Sequence, residues 1–223
     1  MTRACCLCAL GGIAATSNAA IVGLDMMVSR DGGASWTRSL GVFRGSIVTV
    51  GIFTTHDASC FGFGGAVVRI NGTGLAAGDL ASLVGADARV APFNFGGSHQ
   101  AVFASAGAFR IDNAADRDDS PVMGVSISQR DPSSAGFSYA SWSHALAYRF
   151  TVSIASSGPA RDLELFIDQI KNGVMARHVT SIATSGTNTS DWSVSGASIH
   201  VVPTPASLAL IGAAGVLVER RRR

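Results

Sequence analysis

The chain has 223 residues, of which 47% are apolar, with 17 Lys and Arg against 15 Asp and Glu. Arg3 and Arg220 to Arg223 are five of the basic residues and Glu219 is one of the acidic ones, so the body between the two ends holds 12 against 14, a net of −2. That balance excludes a basic nucleic-acid-binding face, and four cysteines, three of them at positions 5, 6 and 8, exclude a disulfide-stapled scaffold.

The N-terminus reads as an export signal. Met1-Thr2-Arg3 supplies a positive start, residues 4–13 form an apolar stretch, and Ser17-Asn18-Ala19 is a small-x-small site before Ala20. This is the pattern of a secretory signal peptide cut between Ala19 and Ala20. Its removal takes Cys5, Cys6 and Cys8 with it and leaves Cys60 alone, so the exported domain has to be stabilised by its core.

Residues 20–201 read as one all-β domain, an antiparallel β-sandwich or jelly roll. The chain has 26 glycines and one lysine, and the body is rich in Ser and Thr, with short apolar runs between turn residues. Strands are predicted at 21–28, 47–53, 66–70, 101–111, 122–128, 148–154, 162–168, 179–183 and 194–201. Alternation is clearest in Tyr148-Arg149-Phe150-Thr151-Val152-Ser153-Ile154, and 162–168 alternates apart from Phe166, as half-buried strands do. Asp31-Gly32-Gly33 and Asn71-Gly72-Thr73-Gly74 are turn signals. One short helix is predicted over 79–84, with Asp79 as its cap. No period repeats along the chain, which argues against a propeller or an array.

Residues 202–223 form a separate unit. Pro203 and Pro205 keep the chain extended, and residues 206–218 are thirteen in a row without charge. As a helix they would span about 20 Å, short of the roughly 20 apolar residues of a comfortable membrane span. Leu208, Ile211, Val216, Leu217 and Val218 leave no polar face, and Arg220, Arg221, Arg222 and Arg223 would hold the end on the cytoplasmic side. A Pro-x-Pro motif, a short apolar helix and a terminal arginine cluster, in that order, resemble the PEP-CTERM sorting signal of exosortase-processed bacterial proteins, with Thr204 standing where the family has Glu. The resemblance covers about a tenth of the chain. It implies export, transient anchoring in the inner membrane, cutting near Pro203-Thr204-Pro205 by an exosortase-like enzyme, and delivery to the cell surface or extracellular matrix. Signal peptidase is the other implied processing partner, and extracellular polysaccharide is the ligand class that such a location offers. The body is also similar to β-sandwich proteins of that family, in which a first strand leads into an Asp-Gly-Gly-Ala-Ser-Trp-like turn and a final strand runs into the sorting motif.

Inside the body, chemistry-bearing patterns are sparse. Ser29 to Trp36 fits S-x-D-x-G-x-x-W, which resembles the Asp-box of sialidases and related propellers. The expected duties are local: Asp31 accepts backbone N–H groups, Gly33 takes positive φ, and Trp36 folds back over the hairpin. The alternative, a secreted carbohydrate-active enzyme or sugar-binding module, needs paired carboxylates, and Glu164 is the only glutamate in the body. Asp112, Asp116, Asp118 and Asp119 offer oxygen ligands for calcium, but the loop lacks a turn glycine and a closing Glu and contains Arg117, so a solvated loop is the reading adopted. His56, His99, His144, His178 and His200 show no metal-ligand spacing. His56-Asp57 near Ser59 and Cys60 has the residue types of a nucleophilic dyad without a G-x-S-x-G elbow. Trp142, with Tyr139 nearby, is read as core rather than a sugar-stacking platform. The expectation is therefore an exported protein of structural or binding type, not an enzyme, with no cofactor and no metal.

Overall fold

Alternating apolar and polar residues give this chain strands whose two faces differ, and the computed structural model shows how these faces are paired. It describes residues 22–56, 62–96, 100–114, 124–128, 144–170, 175–177 and 192–203. Thirteen strands occur there: β1 (Val22–Ser29), β2 (Ser39–Phe43), β3 (Ile47–His56), β4 (Gly62–Thr73), β5 (Leu80–Leu83), β6 (Gln100–Ser105), β7 (Ala108–Asn113), β8 (Val125–Ser128), β9 (Ala145–Ser153), β10 (Arg161–Ile170), β11 (Met175–Arg177), β12 (Trp192–Ser195) and β13 (Ala197–Val202). They form two sheets. One runs β12-β1-β3-β9-β5; the other runs β2-β13-β10-β4-β7-β6, with β8 and β11 also paired to β4. The predicted strand at 179–183, the signal segment and the apolar tail lie outside the described residues.

The predicted alternation places the core. Tyr148, Phe150, Val152 and Ile154 of the β9 run and Leu163, Leu165 and Ile167 of β10 point inward and are at most 7% exposed, while Phe166 stands outside at 39%. They meet Leu24, Met26 and Val28 of β1, Val48, Val50 and Ile52 of β3, and Ile199 and Val201 of β13 in one apolar cluster between the sheets. Each fully buried aliphatic or aromatic side chain of this kind contributes roughly 1.5–3 kcal/mol.

Pairing is not purely antiparallel. β1 lies parallel to β12 and β2 lies parallel to β13, because two of the chain's crossings between the sheets, β1 to β2 and β12 to β13, run side by side in the same direction. The second crossing takes a single residue. Gly196 separates β12 from β13 where 194–201 was expected to be one strand, and a Cβ at Gly196 would collide with the Leu165 carbonyl oxygen. Only glycine lets the chain change sheets so closely against β10.

Three further expectations are corrected. Residues 80–83 form strand β5, antiparallel to β9, not a helix. Asp79 does not cap a helix: its carboxylate accepts from the Ala76 N–H at 2.7 Å, the Ala155 N–H at 2.8 Å and the Arg161 guanidinium, whose Nε lies 2.9 Å away. A short apolar run is ambiguous in sequence, and the free edge of β9 decides it. Residues 101–111 are not one strand but the hairpin β6–β7, turning at Ala106-Gly107 with Gly107 at φ 75°. Asn71-Gly72-Thr73 continues β4, and the chain turns only at Gly74, φ 79°.

Candidate functional site

Of the residues expected to direct sorting, Pro203 alone is among the described residues. β13 ends at Val202, and Pro203 follows it outside the strand, half-buried. Thr204, Pro205, Arg220 to Arg223, Ala19 and Ala20 lie outside the described residues, as do His99, His178, Cys60 and Trp142.

The Ser29–Trp36 turn has the local duties read from its sequence. Asp31 Oδ1 accepts the Ala34 and Ser35 N–H groups, each at 3.0 Å, and the Ser29 hydroxyl at 2.5 Å; Oδ2 accepts the Ser35 hydroxyl at 2.5 Å. These bonds, the Ser29 hydroxyl first, hold the Asp31 carboxyl far below the usual carboxylate range. Gly32 and Gly33 take φ of 73° and 103°. The Trp36 ring lies across Gly33 and over Gly51 of β3, and meets Phe53 edge to face at 5.1 Å. Every one of these contacts closes the turn onto its own sheet.

Of the acidic residues considered for calcium, Asp112 is described, and it is not part of a solvated loop as expected but ends up fully buried on β7. Its carboxylate receives Arg69 Nε at 2.5 Å and lies 3.5 Å from Arg110 Nε, so two arginines face it from β4 and β7. Asp116, Asp118 and Asp119 lie outside the described residues. Among the described residues, no three His, Cys, Asp or Glu side chains group as metal ligands.

Two polar constellations were not legible in the sequence. On the first sheet, Asp25 accepts the Ser195 hydroxyl at 2.5 Å and Arg38 Nη2 at 2.8 Å, with His144 Nε2 at 3.8 Å. Burial would raise the Asp25 pKa, but the bonds from Ser195 and Arg38 outweigh it and hold the pKa down. His144 stacks on Phe53 at 4.9 Å and adopts φ 74°, unusual for a residue with a Cβ.

On the outer face of the second sheet, β10, β13 and β2 lie side by side and bring Asp162, His200 and Ser39 into line. Asp162 Oδ1 is 2.7 Å from His200 Nδ1, and His200 Nε2 is 2.8 Å from Ser39 Oγ. Ser198 Oγ lies 3.4 Å from the same Nε2. His200 faces Asp162 across the β10–β13 ladder and Gly41 across the β13–β2 ladder. Residues 39, 162 and 200 are far apart in sequence, and only the sheet register joins them.

No family model matches the chain, and no curated protein matches it in sequence. The solved structures that the chain matches include cohesins. The sixth cohesin of scaffoldin B from Acetivibrio cellulolyticus, solved with a Cel5 dockerin, is 10% identical at a TM-score of 0.40, over 81% of this chain and 99% of that one. CaCohA2 of Clostridium acetobutylicum is 14% identical at a TM-score of 0.40, over 80% and 90%.

Proposed function

We propose that this chain is an exported β-sandwich protein of structural or binding type, carried out of the cytoplasm by residues 1–19 and sorted through residues 202–223. What supports this reading is the order of features at the two ends: a positive start, an apolar stretch and a small-x-small site before Ala20, and a Pro-x-Pro motif, an apolar run and four arginines after Val202. β1 starts at Val22, two residues after Ala20, and β13 ends at Val202, one residue before Pro203. Both are interior strands, β1 between β12 and β3, β13 between β2 and β10. Cuts at Ala19 and within Pro203-Thr204-Pro205 therefore cost the described core nothing.

In this reading signal peptidase makes the first cut and an exosortase-like enzyme the second, with the apolar segment holding the protein in the inner membrane between the two events. The product is delivered to the cell surface or to extracellular polysaccharide. The Asp-box-like turn adds no argument for a carbohydrate-active enzyme, because both Asp31 oxygens are committed to the turn itself.

Intact-mass spectrometry of the protein from inner-membrane, outer-surface and medium fractions of the producing cell tests the proposal. The expected species outside the inner membrane lacks residues 1–19 and everything beyond the Pro203–Pro205 region. A full-length C-terminus recovered only in the inner membrane overturns the sorting reading and leaves a permanently anchored domain.

A further inference from the structure

We infer that Ser39, His200 and Asp162 form a nucleophilic site on the outer face of the second sheet, able to take an acyl group from an ester. The order of contacts is that of a hydrolytic triad: carboxylate to Nδ1 at 2.7 Å, Nε2 to serine hydroxyl at 2.8 Å. Asp162 selects the tautomer with the proton on Nδ1, which leaves Nε2 as the acceptor for the Ser39 hydroxyl. The constellation is recognised by geometry and roles, not by chain order, and here three neighbouring strands supply one member each.

Room for a substrate is present beside the serine. Gly41, two residues along the same face of β2, has open space where a side chain would stand: a Cβ there meets nothing within 4 Å. Beyond it Phe43 and Val202, paired across β2 and β13, are 49% and 41% exposed and form an apolar ledge. A short acyl chain laid over Gly41 would rest against them. The face is open, with His200 and Asp162 side chains 46% and 67% exposed. It therefore suits an ester displayed on a bulky carrier better than a small free substrate, which such a surface would hold weakly.

In the acyl transfer, Ser39 Oγ bonds to the ester carbonyl carbon as its proton passes to His200 Nε2. The carbon–oxygen bond to the alcohol then breaks, the alcohol oxygen leaving with the electron pair and taking that proton. Water repeats the attack on acyl-Ser39, releasing the acid and restoring the serine. Asp162 acts as a positioning residue for His200.

The test is covalent labelling of the full chain with a fluorophosphonate, in which Ser39 forms the phosphorus–oxygen bond and fluoride leaves, followed by peptide mass spectrometry. The adduct is expected on Ser39 and absent in Ser39→Ala. His200→Gln slows labelling by about 100-fold, the lower range for loss of a general base. Asp162→Asn slows it by about five-fold, as expected for one charge interaction in water-like surroundings, and Asp162→Glu restores the rate. Gly41→Leu, which fills the space opposite His200, slows labelling by bulky probes more than by small ones. All these positions are outward-facing, and equal thermal melting of the variants separates loss of reactivity from loss of fold. No adduct on Ser39, an adduct on Ser198 instead, or an unchanged rate in His200→Gln overturns the inference and leaves a cross-strand hydrogen-bond network.

Discussion

Two carboxylates in this protein, Asp31 and Asp79, each gather several donors, but they do so on opposite terms. Asp31 binds groups within four residues of itself on an exposed turn. The Asp79 side chain is fully buried and ties its own turn, through the N–H of Ala76, to two distant pieces: the N–H of Ala155 after β9 and the Arg161 guanidinium at the start of β10. The exposed set shapes one turn, and its bonds replace bonds that water would also make. The buried set fixes how β5, β9 and β10 meet, and neither partner can return to water if the other is removed.

The largest expected effect follows from that difference. Asp79→Ala leaves Arg161, whose side chain is 9% exposed, without its carboxylate; a loss of about 3–5 kcal/mol is expected in urea unfolding. Replacing both together, Asp79→Leu with Arg161→Met, should recover part of it, since no unpaired charge then remains buried while the Ala76 and Ala155 N–H groups still lose their acceptor. Gly196→Ala forces a methyl against the Leu165 carbonyl at the sheet crossing, and a loss of about 1–3 kcal/mol is expected in the same assay.

Acid provides a third measure. In Asp79 burial raises the pKa, but the bonds from Arg161, Ala155 and Ala76 outweigh it and leave the carboxyl below its ordinary 3.8. In Asp87 the Arg89 guanidinium has the larger effect and also holds the pKa down. A carboxylate lowered by folding contributes stability that is complete above the unfolded value and is lost as pH falls through the folded one. The melting temperature should therefore be flat near neutrality and fall below about pH 4, and Asp79→Asn should make that fall shallower. The smallest effect belongs to Asp31→Ala, a slight lowering of the melting temperature with the fold intact. A drop as large as that of Asp79→Ala would break the contrast between the exposed and the buried set.

The same contrast explains what could be read from the sequence. The strands of β9 and β10 were legible because apolar residues at every second position report a buried face whatever the partner. The Ser29–Trp36 turn was legible because its donors and acceptor lie within eight residues. The β5 strand was not, because Leu80 to Leu83 is too short for its period to decide, and what decides it is the edge of β9, some seventy residues further on. Ser39 was missed for a related reason: β2 is five residues long and makes its contacts with β13 at the other end of the chain. The Asp112 pair with Arg69 likewise depends on the β4–β7 register, and sequence showed only an acidic loop.

Tension applied to the chain beyond Pro203 enters the body along the axis of β13. That strand is held by five residue pairs on its β2 side and five on its β10 side, with Ala197, Ile199 and Val201 keyed into the core. A pull along the strand loads both ladders in shear, so their bonds share the force instead of opening one at a time as they would if the strand were peeled from an edge. The strand next to the tail is thus held from both sides, not at an edge, and its lifetime under load is set by the rate of unfolding, not by the equilibrium stability.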